Sequence, residues 1–360
     1  MPKPSTDAEI VTTLSETFAE GVAIEAVSSP SSSRLSLLFR DARRKTIAPR
    51  VEYAGRIYQP LVLDETVQRA TRFARDAKNY GSPRTLFHRI REVLEIYAGF
   101  TEHEASFITA WVVRSWFPDC ISSPPPLLIL GPDMGHAISV LRLLHGLCRR
   151  ALLLSDVNRG SLLSLASLAP TLLVNGPDLS PRVRDLWIRS NYRGVHVVGN
   201  GKACSLATPK AIFLGMTDSR DGEGIRFSLR PAPANLPPLT DLELAAIADE
   251  LQPQLLMFRL RNFEQVRNPP PSTVSSPSPR RDASYALERS VLGDAEIVQS
   301  MTPLLERSER ESITRRGCDP HVAMVEVMWT PSHREREMTI SRLTELTNAL
   351  LRSRGELLEY

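Results

Sequence analysis

Pro126-Leu127-Leu128-Ile129-Leu130-Gly131-Pro132-Asp133-Met134-Gly135-His136-Ala137-Ile138-Ser139-Val140-Leu141 is the stretch that decides the fold of this chain. Leu127–Leu130 is a short apolar run that reads as a strand. It stops at Gly131-Pro132, a pair that punctuates regular structure. Beyond the pair, Ile138, Leu141, Leu144 and Cys148 recur at helical spacing and define one apolar face. A strand, a tight glycine-bearing turn and a helix therefore follow one another.

That layout is the one on which phosphate-cradling loops are built, and a working loop reads G-x-x-x-x-G-K-[ST]. Counted without a gap from Gly131, the second Gly, the Lys and the Ser/Thr fall on His136, Ala137 and Ile138. Shifted by one residue, Gly135-His136-Ala137 takes the place of Gly-Lys-Ser. His136 is then a weak, mostly neutral stand-in for lysine at neutral pH, and Ala137 has no oxygen for a metal ion. Asp133 and Met134 occupy the middle of the loop, and Asp133 places negative charge where a triphosphate would lie. Gly131 and Gly135 serve a tight strand-to-helix turn equally well. The amides that open the following helix still offer a place for an anion, because that needs no side chain.

Outward from this stretch, 360 residues are enough for two or three units with a buried core. The net charge of +3 is too small to argue for nucleic acid by itself. Cys120, Cys148, Cys204 and Cys318 are scattered, with no pair at metal-ligand spacing. They read as reduced thiols of a cytoplasmic protein. Met1–Glu9 lacks the basic-then-apolar pattern of a signal peptide, and no apolar run approaches the ~18 residues of a membrane span.

In chain order, residues 1–34 read as a flexible tail with at most a short helix near Ala8–Glu20. Strand-like pieces follow in Leu35–Lys45 and Arg50–Leu63. Ser82-Pro83 opens a helix that Gly99 ends, and Thr101-Glu102-His103-Glu104 is a capping box for the next, which runs to about Phe117. After the central turn and helix, Ala151–Leu154, Thr171–Val174, Ala211–Leu214 and Ile225–Leu229 read as further strands. Ser161–Leu168 and the segment opened by Ser180-Pro181 read as helices. Val195–Val198 and Ala203–Leu206 read as a hairpin, and Thr240–Asn268 as a long helix with its own capping box. Residues 269–283 are a Pro/Ser linker. Ser284–Arg316, Pro320–Trp329 and Ile340–Arg352 are helical.

Taken together, the order of these motifs resembles the P-loop ATPase domains of the AAA+ kind found in phage- and plasmid-type primase-helicases, over roughly residues 80–268. The implied fold class is α/β: a P-loop NTPase-like core with a mostly parallel sheet and flanking helices, a helical N-terminal extension and a helical C-terminal region. The implied units are the tail over 1–34, a strand-plus-helical region over 35–120, the core with its helical lid over 121–268, the linker, and 284–360. This last unit opens like a winged helix whose third helix and wing would lie beyond Tyr360.

In such a domain a second motif is a strand ending in Asp-Glu, which hold the metal ion and activate water. Here Thr171–Val174 is followed by Asn175-Gly176-Pro177-Asp178. Asn175 replaces the metal-linked Asp and Gly176 the Glu, while Asp178 is either a displaced carboxylate or a local helix cap. Arg182, Arg184, Arg189, Arg193, Lys202 and Lys210 form a basic segment that the resemblance places against a neighbouring subunit or nucleic acid. The plainer reading is a solvated face. The expectation is a catalytically inactive domain acting as scaffold or regulatory subunit, linked to DNA or mobile-element metabolism. It has no catalytic residue, metal or cofactor, and its partners would be DNA or an active ATPase, without a membrane. The alternatives are an atypical ATP- and Mg-dependent helicase-like motor and a DNA-binding accessory protein.

Overall fold

The computed structural model describes residues 9–29, 34–121, 126–155, 165–176, 183, 196–199, 202–205, 207–216, 224–269, 279–330 and 337–354. The described residues begin not with a helix but with strands: β1 (Glu9–Thr13), β2 (Ser15–Thr17) and β3 (Ala23–Ser28). Then come β4 (Leu35–Arg40), β5 (Lys45–Ala48), β6 (Val51–Tyr53) and β7 (Arg56–Pro60). They form a four-stranded sheet ordered β2-β3-β4-β5 and a three-stranded sheet ordered β1-β7-β6. Because β3 pairs antiparallel with β4, the expected division between tail and strand region falls between two bonded strands. Ile24 and Val27 of β3 and Leu37 and Leu38 of β4 are fully buried, which is what draws residues 9–28 out of the expected tail.

Helices α1 (Glu65–Ala70), α2 (Pro83–Ala98) and α3 (Glu102–Ser115) follow. The Ser82 hydroxyl accepts the Thr85 amide at the start of α2, a cap that stabilises by about 1 kcal/mol. Gly99 ends α2 at φ +60, where Pro233 packs too close for any side chain. The capping box of α3 forms as its sequence dictates, between Thr101 and Glu104.

The core then alternates strand and helix. It comprises β8 (Leu127–Leu130), α4 (Met134–Leu147), β9 (Leu152–Leu154) and β10 (Leu172–Asn175). The antiparallel hairpin β11 (His196–Gly199) and β12 (Lys202–Ser205) follows, then β13 (Lys210–Phe213) and β14 (Ile225–Ser228). Five of these strands make one sheet, ordered β14-β8-β13-β10-β9 and parallel throughout. With helices against it, this is the α/β architecture of a P-loop NTPase-like core. The long α5 (Asp241–Arg267) packs on α4. The helices α6 (Pro279–Ser290), α7 (Ala295–Gly317), α8 (Pro320–Trp329) and α9 (Ile340–Ser353) complete the chain. The linker expectation is shortened by this, since α6 begins at Pro279; Gly293 at φ +67 then separates α6 from α7.

Alternation along β8 explains the layering. Leu127 and Ile129 point into a core shared with α2, α3, α4 and α5. Leu128, with Leu172, Val174 and Ile212, faces the other way, into a core shared with Ile24, Leu37 and Phe39 of the N-terminal strands.

A buried charge cluster ties the two layers. Glu25 of β3 receives the guanidiniums of Arg149 and Arg150, which precede β9, and of Arg259 on α5, all at most 5% exposed. The Ser15 hydroxyl donates to Glu25 at 2.8 Å, and Arg259 also grips Asp119 at 2.6 Å.

Candidate functional site

Only three residues, Gly131-Pro132-Asp133, separate the end of β8 from the start of α4. A cradle that wraps a triphosphate needs a longer loop with its amides turned inward. Here the Gly131 amide donates to the Gly215 carbonyl at 3.0 Å, which fastens the turn to the segment after β13. Gly131 is required by a close approach: a Cβ there would lie 2.4 Å from the Leu229 carbonyl oxygen.

Asp133 is the N-cap of α4. Its Oδ1 accepts the His136 amide at 2.9 Å, and its Oδ2 accepts the Ala232 amide at 3.2 Å. These amides hold the carboxyl below its ordinary value. The N-terminus of α4 is therefore already supplied with an anion, belonging to the chain itself. An external anion on the opening amides of α4 would therefore meet the Asp133 carboxylate, which already holds the His136 amide.

His136 turns inward and is 5% exposed. Its Nδ1 lies 2.9 Å from the Arg230 carbonyl and its Nε2 3.0 Å from the Ala98 carbonyl. The ring thus joins the end of α2, the start of α4 and the segment after β14. It is not placed to replace a phosphate-binding lysine. Ala137, the lysine position in the ungapped count, is fully buried, while Met134 and Ile138 are turned outward at 48% and 36% exposure. A cavity of about 150 Å³ adjoins His136, bounded by Phe100, Phe227, Arg230 and Pro233. None of residues 131–135 lines it, and it is smaller than an ordinary ligand pocket of a few hundred Å³.

The second half-motif reaches the same edge of the sheet. Asn175 stands level with Phe213, and Phe213 with Ile129, so the ends of β10 and β8 lie side by side with one strand between them, about 10 Å apart. This is the carboxyl edge, where open α/β sheets take ligands. The frame of a site is thus present. Among the described residues its polar content is small: the Oδ1 of Asn175 is buried without a hydrogen-bond partner, and the Gly176 amide is spent on the Phe213 carbonyl at 3.1 Å. Among the described residues, no group of three or more His, Cys, Asp or Glu is placed to hold a metal ion.

Asp178, Arg182, Arg184, Arg189 and Arg193 lie outside the described residues. Lys202 opens β12. Lys210 is a correction: it begins β13 and is 1% exposed, so it offers no charge to a surface partner. Burial, together with the charge of Arg114, pushes its ammonium down to about 7. The sequence reading missed Ala98 and Arg230, because they act on His136 through backbone carbonyls and carry no residue-type signal.

No protein-family model and no curated protein matches the sequence. Among solved structures, the chain is similar to the A form apo structure of the NrS-1 C-terminal region, at 10% identity and a TM-score of 0.36, covering 91% of this chain and 83% of that one. It is also similar to a full-length MCM homolog from Methanopyrus kandleri, at 13% identity and a TM-score of 0.36, covering 79% of this chain and 75% of that one. Neither lends a residue role to this chain. Among the described residues, no helix is long and apolar enough to cross a membrane.

Proposed function

We propose that this chain is a P-loop NTPase-like domain of the AAA+ kind that does not hydrolyse nucleotide. It acts as a scaffold or regulatory subunit in DNA metabolism of the primase-helicase type. The observation that carries the reading is the Asp133 carboxylate on the His136 amide in the first turn of α4, close to where a phosphate would have to sit. Phosphoryl transfer by such a domain is positioning plus charge neutralisation. Here the loop lysine, the metal-holding hydroxyl and the water-activating carboxylate are all replaced, and the histidine nearest the place of the lysine is committed to two backbone carbonyls. The sheet order supports the AAA+ assignment: numbering the core strands in sequence gives 5-1-4-3-2, with the turn on the first strand. A partner that does hydrolyse ATP would supply the chemistry this chain lacks.

The test is thermal melting of the purified chain with ATP and Mg²⁺, and turnover measured alongside. A ligand at a hundred times its Kd stabilises by about 2.7 kcal/mol, which moves the midpoint by several degrees. No shift and no turnover is the expected result. A magnesium-dependent shift with ATP, or hydrolysis that follows the protein through purification, would overturn the proposal.

A further inference from the structure

The turn between β4 and β5, the segment around Lys78 and the exposed side of α5 meet at one corner of the molecule, and that corner is strongly basic. Arg40 and Lys45 stand directly opposite each other in the β4–β5 register. Like charges so placed cost stability. A third cation is added from α5: Arg40 donates to the Leu260 carbonyl at 3.0 Å, and the charge of Arg261 acts on Arg40. Arg261 in turn bonds Asn79 Oδ1 at 3.0 Å and lies 5.3 Å over the Tyr80 ring. Lys78 is exposed beside it. Arg43 and Arg44 form the tip of the turn, with Arg44 lying 5.1 Å over Phe39.

Two of the corner's carboxylates, Asp41 and Asp76, are committed. Asp41 accepts the Arg43 and Arg44 amides at 2.7 Å each, which shapes the turn, and pairs with the Arg44 Nε at 3.2 Å. Asp76 accepts from Lys45 at 2.7 Å and from the Ala77 amide at 2.7 Å. Arg43 and Lys78 meet no carboxylate among the described residues. Six cations stand against Asp41, Asp76 and the exposed Glu264 one turn on from Arg261, so the corner carries a local excess of positive charge. Gathering these cations at one corner carries a cost in self-repulsion.

We infer that this corner is a nucleic-acid backbone site. Arginines predominate, and their planar forks suit phosphate oxygens. Stacking on Tyr80 holds Arg261 without neutralising it. The contacts are to phosphates, so binding is independent of base sequence and depends on salt. The inference deepens the link to DNA metabolism in the proposed function. It shares no residue with the turn at Gly131, so nucleotide binding there and failure of this site are read separately.

The experiment is fluorescence anisotropy of a labelled oligonucleotide, single-stranded and duplex, titrated with the full chain at rising salt. Engagement of about four phosphates would weaken duplex binding about a hundredfold between roughly 50 and 200 mM salt. R43E/K78E is expected to bind at least about tenfold more weakly and with a shallower salt slope, by about one unit for each phosphate no longer engaged. R307E/R342E makes the same change of net charge on exposed arginines elsewhere and is expected to keep most of the affinity. R43A/K78A serves if the charge reversal fails to fold. The inference is overturned if the unmodified chain leaves the oligonucleotide unbound at low salt, or if the R43/K78 variants bind as it does. It is equally overturned if polyglutamate is bound while the oligonucleotide is not.

Discussion

Asp133 Oδ1 accepts the backbone amide of His136 at 2.9 Å, and through that bond the helix after the central strand carries its own anion. Removing the carboxylate with D133A takes away the cap and the tie to Ala232. A loss of about 1 to 2 kcal/mol is expected, as for other helix caps. Urea unfolding of the two proteins measures it, and a variant as stable as the parent would show that the bond contributes nothing.

Gly131 lies under the Leu229 carbonyl, and the oxygen leaves no room for a methyl group. G131A therefore has to move backbone against β14 rather than bend a side chain aside. A loss of about 2 to 3 kcal/mol is expected, in the range of overpacked cores. Thermal melting tests it. A neutral result would mean that the backbone yields to the added methyl and the glycine is not required.

How far these features could be read from residues alone depends on how local their causes are. The helix α2 is legible because Ser82-Pro83, Gly99 and the apolar period all lie within it. The parallel strands are legible as short apolar runs, and the two half-motifs at Gly131 and Asn175 meet at one edge as their order implies. The start of α4 is harder: Gly131-Pro132-Asp133-Met134-Gly135 suits either a long loop or a short capped turn, and the Asp133 bonds decide it. The strands β1 and β3 were hidden because β7 and β4, their partners, lie across the Ser/Pro run, and that pairing outweighs local tendency. Glu25 and Lys210 look like surface charges by type. Only contacts with Arg149, Arg150 and Arg259, or with the sheet interior, place them inside.

Cys148 is fully buried behind α4, and burial pushes its thiol up to about 12. Cys120 is raised to about 12 as well, by burial first and by Asp119 next. Alkylation attacks the thiolate. Both residues are expected to stay unmodified by iodoacetamide near pH 8 until denaturant is added, as peptide mass spectrometry would read out. Labelling of Cys148 in the native protein at the rate seen in denaturant would contradict the burial.

Glu25 sets the acid limit of the fold. Burial alone would raise its carboxyl, but Arg149, Arg150, Arg259 and the Ser15 hydroxyl overcome that and hold it down to about 2, from an ordinary 4.5. A carboxyl lowered by folding stabilises the protein above its unfolded value and loses that contribution as pH falls toward the folded value. The window runs from about pH 4.5 to about pH 2. E25Q keeps the shape and removes the charge. It is expected to be less stable than the parent by roughly 3 kcal/mol near neutral pH, with the gap closing through the window as the parent's carboxylate is protonated. E25A, which leaves three guanidiniums without their carboxylate, is expected to lose about 3 to 5 kcal/mol. Asp119 shares Arg259 with Glu25 and titrates lower still, so the comparison is read at the upper end of the window, where Asp119 stays ionised. Denaturation midpoints at a series of pH values decide the matter: a gap between parent and E25Q that does not shrink as pH falls through that upper end would mean that the cluster is not what holds the N-terminal strands to the core.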